Sequence, residues 1–393
     1  MQSLIQKSDR KLKQLNFKHR RSSFSEIDWN DRLILLLGHR GTGKTSLLLQ
    51  HLKSINGKGI YLSLDDFVFE DQRLIVIFEK LYQQGYRHFY LDEVHRYQYW
   101  SKDLKQLYDD YNDVKLIATG SSILDINKGN ADLSRRAVSY QIQGLSFREY
   151  LFIEKDVVLP SLSIHQIIEN HHRISSDYLD HFSWEKDFRN YLEYGYYPFF
   201  KENKKTYFIK LEKTAQLVIE SDIVPFEGLN YKSIHSLKKL LFVISQSVPF
   251  IPNISKLAIT LDISRNSLLK LLDLLDQAKL VKLLRADTKG VSYLQKPEKV
   301  YLENTNLIHL FAQDQPNIGS LRESFYYNQV SYKHKVTSSK YADFMVDGKY
   351  TFEIGGANKS LKQIQGVPES FLALDIKTGQ NKNIPLWLFG FLY

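Results

Sequence analysis

Residues 38–45 read GHRGTGKT, a G-x-x-x-x-G-K-[ST] spacing that follows the apolar run LILLL (33–37) and opens a helical stretch. Glycines at this spacing let the backbone wrap around a phosphate. The first turn of the following helix then aims unpaired N–H groups and a partial positive charge at it. In such a loop Gly38, His39, Arg40, Gly41, Thr42, Gly43, Lys44, Thr45 and Ser46 surround the phosphates of a nucleotide. Lys44 reaches the β- and γ-phosphates, and Thr45 offers its hydroxyl to Mg2+. A strand before the motif and a helix after it separate this reading from a chance glycine-rich turn.

The run FYLDE (89–93) supplies the complementary chemistry. An apolar strand delivers Asp92 at its carboxyl end, where it can hold Mg2+ through water, and Glu93 is then free to orient an attacking water. The next apolar run ends IATGSS (117–122). If that strand lies between the other two, Thr119 or Ser121 faces the γ-phosphate and can hold the lytic water. A plain strand-end turn reads the same letters. DEVH at 92–95 also fits a helicase pattern, but a helicase of that kind needs a second nucleotide-fold domain, and 145–393 contain no second series of the required length.

Positioning these groups takes a layered α/β domain. Five short apolar runs, at 33–37, 59–64, 88–92, 114–119 and 138–142, alternate with helical segments over 32–144 and predict a parallel sheet covered by helices. Residues 145–232 read as an aromatic-rich helical connector or lid packed on that domain. Three close helical segments and a strand over 233–298 predict a winged helix-turn-helix, and 299–393 read as a separate α+β domain. In the third helix of the winged segment, Arg265, Asn266, Ser267 and Lys270 stand at the start, suited to phosphates or base edges. The aspartates further along repel phosphate, so a protein-binding role is the alternative.

The chain has 393 residues, a formal charge of +9 and no cysteine. That excludes disulfides, thiolate zinc sites and cysteine nucleophiles, and agrees with a reducing cytoplasm, the expected location. A basic balance favours acidic partners. Residues 1–31 form a basic arm carrying Lys7, Arg10, Lys11, Lys13, Lys18, Arg20 and Arg21, either a solvated helix face or a nucleic-acid contact. No apolar run approaches the ~20 residues that span a bilayer, so no membrane partner is expected.

The order of phosphate loop, LDE, TGSS, arginine before a strand and LSFREYL (145–151) resembles a prokaryotic family of AAA-type ATPases. YLEYGYYPFF (191–200), SDIVPF (221–226), VYLENTNLIHLF (300–311) and RESFYYNQV (322–330) extend the likeness over nearly the whole chain after residue 32. The resemblance implies an AAA-type P-loop domain, a helical segment, a winged helix and a C-terminal restriction-endonuclease-like module. It further implies ATP hydrolysis with Mg2+, coupled to a nucleic-acid or protein partner. Arg136 falls where the family carries an arginine before its fifth strand. It is either a finger reaching a neighbouring copy in a homo-oligomer or a surface salt bridge, with Arg135 a competitor for the role.

Restriction-type nucleases place an aspartate on one strand and Glu-x-Lys on the next, the carboxylates binding Mg2+. Here YADFMVDGKYTFEIGG provides Asp343 and Glu353, but Gly355 stands at the lysine position. A two-residue turn at Asp347–Gly348 sends Asp343 and Glu353 to opposite faces. A three-residue loop or a bulge pairs them directly. Lys359 can lean back to replace the missing lysine, with Glu323 as a further carboxylate. Gly355–Gly356 speak for close backbone approach, so an inactive shell is preferred over an ATP-gated, metal-dependent DNA nuclease. A non-hydrolysing nucleotide-sensing scaffold is the third reading.

Overall fold

The computed structural model describes residues 1–14, 18–120, 133–223, 231–246, 248–287, 296–312 and 315–393. The chain divides into two compact units, Met1–Gly144 and Leu145–Tyr393.

In the first unit, β1 (Leu33–Leu37), β2 (Gly59–Ser63), β3 (His88–Asp92), β4 (Lys115–Gly120) and β5 (Val138–Gln141) form a parallel sheet in the order β2-β3-β4-β1-β5. Continuous apolar runs suit strands covered on both faces, because successive side chains point to opposite sides. Leu33, Leu35, Phe89, Leu91, Leu116 and Ala118 pack with Ile77, Phe78 and Leu81 of the helix Leu74–Gln83 and with Leu104 and Leu107 of the helix Trp100–Asp110. Ile34, Leu36, Tyr90 and Ile117 take the other face, against Leu47, Leu48 and Leu52 of the helix Lys44–Ser54. This strand order sets β4 between β1 and β3, the condition under which Thr119 faces the phosphate loop.

The basic arm is not free. Its helix, Gln2–Gln14, buries Leu4 in the first cluster, Lys7 pairs with Asp66, and Ser8 Oγ accepts from the Tyr61 amide at 3.0 Å on the edge strand β2. Arg10, Lys11 and Lys13 line its exposed face.

The second unit opens with the helices Phe147–Lys155, Ile164–Tyr178, Trp184–Tyr194 and Tyr207–Leu217. Ser146 with Glu149, and Ser163 with Gln166, close reciprocal capping boxes that start the first two. The segment expected to be a connector or lid shares this unit's core. Phe147 meets Phe391 (centroids 5.8 Å apart), Phe188 meets Phe325 (4.9 Å), and buried Asn306 bonds the Tyr196 amide (2.9 Å) and the Leu192 carbonyl (2.9 Å). A tight aromatic core shared between 145–217 and the C-terminal residues makes separate folding of the two segments unfavourable.

Three helices follow, Tyr231–Ser245, Ile254–Leu261 and Arg265–Gln277, and then an antiparallel pair, β6 (Val281–Leu284) and β7 (Lys299–Leu302). Beyond the helices Thr305–Phe311 and Ile318–Val330 lies a mixed sheet of β8 (Val336–Ser338), β9 (Phe344–Val346), β10 (Tyr350–Gly356), β11 (Ser370–Asp375) and β12 (Asn383–Pro385), in the order β12-β11-β10-β9-β8. Strands β8, β9 and β10 run antiparallel, whereas β10, β11 and β12 are parallel. Among the described residues no second all-parallel sheet exists and no helix is long and apolar enough to cross a membrane.

Candidate functional site

The glycines of 38–45 are needed for shape. Gly43, the residue before the helix Lys44–Ser54, has φ 90°, and Gly41 has φ 81°, a region side chains disfavour. A Cβ on Gly38 would sit 2.2 Å from the Ile142 carbonyl oxygen, so the loop lies directly against the chain leaving β5. Lys44 is buried, and its Nζ donates to the carbonyls of Gly38 and His39 at 2.9 Å each. Thr42 Oγ1 donates to His39 O at 2.9 Å, and His39 Nδ1 lies 2.8 Å from Arg40 O. Thr45 is half-buried and Ser46 exposed.

Arg21 adds a brace that no local motif announces. Its guanidinium donates to Thr42 O (2.8 Å), Gln143 O (2.7 Å) and Gly144 O (2.8 Å), tying the phosphate loop to the end of the first unit. One basic residue of the arm is therefore an internal donor to three carbonyls.

Asp92, at the carboxyl end of β3, is buried. Its Oδ2 accepts from Thr45 Oγ1 (2.9 Å) and Tyr61 OH (2.8 Å), and Oδ1 accepts from Thr119 Oγ1. Burial pushes the Asp92 carboxyl above its ordinary range, Glu93 adds to this, and the three hydroxyl donors oppose it. Burial and the neighbouring Asp92 hold the Tyr61 phenol high, so it stays a donor. A hydroxyl and a carboxylate this close are hard oxygen groups of the kind Mg2+ takes, so Thr45 and Asp92 fit that ion.

Glu93 has φ 53°, a left-handed backbone that turns the chain off the strand. Its amide donates to Thr119 Oγ1 at 3.2 Å, and its Oε2 lies 3.4 Å from Nε2 of buried His95. Glu93 borders a cavity of about 610 Å3, whose wall also includes Arg40, Asp65 and Arg96. Ser121 lies outside the described residues. Arg136 makes a two-pronged bond to Asp109, Nε to Oδ1 at 2.7 Å and Nη2 to Oδ2 at 2.9 Å, which holds the Asp109 carboxyl below its usual range.

The C-terminal cluster also assembles. Tyr350 pairs with Val346 and Phe352 with Phe344, so residues 347–349 form a three-residue loop, with Asp347 at φ 53° and Gly348 at φ 66°. The same register sets Asp343 opposite Glu353 on one face, and Asp343 Oδ2 accepts from the Ile354 amide at 3.0 Å. Lys359 reaches back to pair with Glu353. A Cβ on Gly355 would lie 2.7 Å from Lys359 Cβ and Cγ, so the glycine at the lysine position makes room for this later lysine. Lys299, which no motif singled out, joins Asp343 (3.0 Å) and Glu323 (3.2 Å), and Tyr301 OH donates to Glu323 at 2.7 Å. Burial raises the carboxyls of Glu323 and Glu353, nearby Asp343 adding to both, while lysine contacts oppose it.

At the start of the helix Arg265–Gln277, Arg265, Asn266, Ser267 and Lys270 are exposed. The aspartates expected to repel phosphate face inward: Asp273 pairs with Arg285, and Asp276 accepts from the Leu283 amide at 3.3 Å.

Residues 30–151 match a family described as AAA domain, and 185–317 match a domain of unknown function (DUF8612). With the parallel sheet and the loop geometry above, the first unit has a P-loop α/β fold, and its residues 30–151 are similar to that AAA family. The chain is 29% identical over 376 residues to an uncharacterized protein of Methanocaldococcus jannaschii, spanning 85% of this chain and 78% of the relative. Among solved structures it is similar to a Walker-type ATPase of Pyrococcus abyssi, at 16% identity and a TM-score of 0.44, covering 76% of this chain and 99% of that one. It is also similar to the Aeropyrum pernix Orc1 protein in complex with DNA, at 11% identity and a TM-score of 0.31, covering 75% and 89%.

Proposed function

We propose that the first unit binds Mg–ATP and hydrolyses it, as a switch that acts on a nucleic-acid or protein partner through the second unit. One observation carries this reading: Lys44, Thr45, Asp92, Glu93 and Thr119 converge at the carboxyl ends of three adjacent parallel strands. Lys44 now spends its ammonium on two loop carbonyls. A triphosphate entering the loop offers it stronger, charged acceptors. Thr45 and Asp92 hold Mg2+, which, when bound, neutralises phosphate charge. Glu93 orients the attacking water and takes its proton, with Thr119 holding the Glu93 amide and so fixing where that carboxylate starts. Arg136 would act as a finger toward a neighbouring copy in a homo-oligomer only on leaving the Asp109 pair it makes here.

For the partner, the inward turn of Asp273 and Asp276 favours nucleic acid. The three helices and the β6–β7 pair support a winged-helix reading, with Arg265, Asn266, Ser267 and Lys270 exposed at the start of its third helix. The exposed lysines and arginine of the first helix offer a second contact. The mixed sheet with Asp343 and Glu353 on one face supports a restriction-endonuclease-like module. We take its non-cutting form, since two lysines already engage the carboxylates. Phosphate release measured with and without added single- or double-stranded DNA tests the proposal. Stimulation by DNA supports a nucleic-acid partner, and a steady rate regardless of DNA points to a protein. Tight ATP retention with no phosphate release in either condition replaces the switch with a scaffold.

A further inference from the structure

The helix Trp184–Tyr194 carries two rows of side chains spaced four residues apart: Trp184, Phe188 and Leu192, and beside them Glu185, Arg189 and Glu193. Both rows line a cavity of about 710 Å3 that lies wholly within the second unit, a volume suited to a small organic ligand. Phe188 is held in place by Phe325, with ring centroids 4.9 Å apart. Phe208 of the helix Tyr207–Leu217, His309 of the helix Thr305–Phe311, Arg322 and Asp375 supply the facing wall.

Three polar groups of this wall are unengaged. Trp184 Nε1 is buried with no hydrogen-bond partner among the described residues, and its indole stacks on no other ring there. A buried N–H without an acceptor is unfavourable, and a bound acceptor relieves it. Arg322 directs Nε (3.0 Å) and Nη2 (2.9 Å) to the same Asp375 oxygen, Oδ2, which leaves Oδ1 as an open acceptor. A Cβ on Gly356 would lie 3.1 Å from Arg322 Nη1, so the second glycine of the Gly355–Gly356 pair makes room for this guanidinium. His309 makes no hydrogen bond among the described residues. Burial lowers its pKa, so the neutral ring offers one donor and one acceptor.

The charges around the cavity argue against an anion. Glu185, Glu193 and Asp375 outnumber Arg189 and Arg322, so a phosphate or carboxylate finds no net attraction. The lining instead suits an uncharged flat ring, with an acceptor for the indole N–H and a donor for Asp375. A purine or pyrimidine base has this combination, since its edge carries donors and acceptors and its face stacks on aromatic side chains. A phenyl or aliphatic group would leave both polar positions unused.

We infer that this cavity binds a nucleobase, stacked on Trp184 and Phe208, accepting from Trp184 Nε1 and donating to Asp375 Oδ1. A free nucleoside and a single strand present the same ring. The inference concerns binding at the second unit and does not depend on ATP hydrolysis by the first.

Calorimetric titration of the full chain with adenosine, guanosine, cytidine and uridine, and with short single strands of each base, tests it. At least one nucleoside should bind. Phe208→Ala should weaken that binding by at least about fivefold, the scale of one lost base stack. Trp184→Phe, which keeps a ring but removes the N–H, should weaken it by about three- to tenfold. Lys44→Ala should leave it unaltered, which separates this cavity from the phosphate loop. A strand that binds more tightly than its nucleoside, with the same dependence on Phe208, assigns the base to a nucleic acid; equal or weaker binding assigns it to a free nucleoside. Should Trp184→Phe fail to fold, Phe208→Ala decides alone. No binding by any of the four nucleosides at millimolar concentration overturns the inference. So does binding that a folded Phe208→Ala or Trp184→Phe protein keeps in full, or binding that a folded Lys44→Ala protein loses.

Discussion

The Glu93 amide donates to the Thr119 hydroxyl at 3.2 Å, and that hydroxyl in turn donates to Asp92. One side chain on β4 thus fixes both acidic residues at the end of β3. Thr119→Val keeps the shape and removes both bonds. Turnover should fall by about ten- to a hundredfold, the range for losing a hydrogen-bond partner of a metal-ligating carboxylate, while nucleotide affinity changes little. Phosphate release and a nucleotide titration on the same preparation give the two numbers.

Arg21→Ala removes three donors from the carbonyls of Thr42, Gln143 and Gly144. Bonds from a charged donor are worth about 1.5–3 kcal/mol each and are not additive. Thermal stability of the first unit should fall, and ATP affinity should drop by about tenfold as the loop loses its brace. Lys11→Ala, on the exposed face of the arm's helix, should leave ATP affinity unchanged in the same assay.

Gly38→Ala should be among the most damaging single changes. The new Cβ would lie 2.2 Å from the Ile142 backbone oxygen, which cannot move without displacing the end of β5. A loss above about 3 kcal/mol is expected from such a backbone clash, read as a lowered urea midpoint.

His51 provides a pH signature unrelated to catalysis. It stacks on Trp29 at 3.9 Å and lies 2.8 Å from Tyr90 OH. Burial lowers its pKa from the ordinary 6.5 to about 4, with Lys115, His88 and Arg20 adding repulsion. Below pH 6.5 the unfolded chain takes up the proton before the folded one does. Stability contributed by neutral His51 is therefore full above pH 6.5 and is lost as pH falls toward 4. Denaturation midpoints at several pH values should show this decline, and His51→Gln should flatten it.

The parts of this molecule that were legible in the sequence are those written in short spans. GHRGTGKT and FYLDE carry their strand and helix context beside them, and the five strands of the first unit lie within a residue or so of the apolar runs that announced them. Interactions set by distant segments left no such trace. Arg21 reads as one of many basic residues until the fold brings it against Gln143, and Tyr61 reads as sheet core until it meets Asp92. The helical segment after 145 looked like a lid because aromatic spacing marks an apolar face without naming its partner. The Asp343–Glu353 register turned on whether the loop had two residues or three, a choice made by the left-handed backbone at Asp347 and Gly348. Lys299, on a different sheet, had no local signal at all.

The central claim rests on Lys44 for holding ATP and on Glu93 for turning it over. The most direct measurement pairs equilibrium ATP binding with phosphate release, at millimolar Mg2+, for the unaltered protein, Lys44→Ala and Glu93→Gln. The account predicts that Lys44→Ala loses both, whereas Glu93→Gln retains ATP and releases phosphate at least about a hundredfold more slowly. Unaltered protein that retains no ATP, or Glu93→Gln turning over at the unaltered rate, would contradict it.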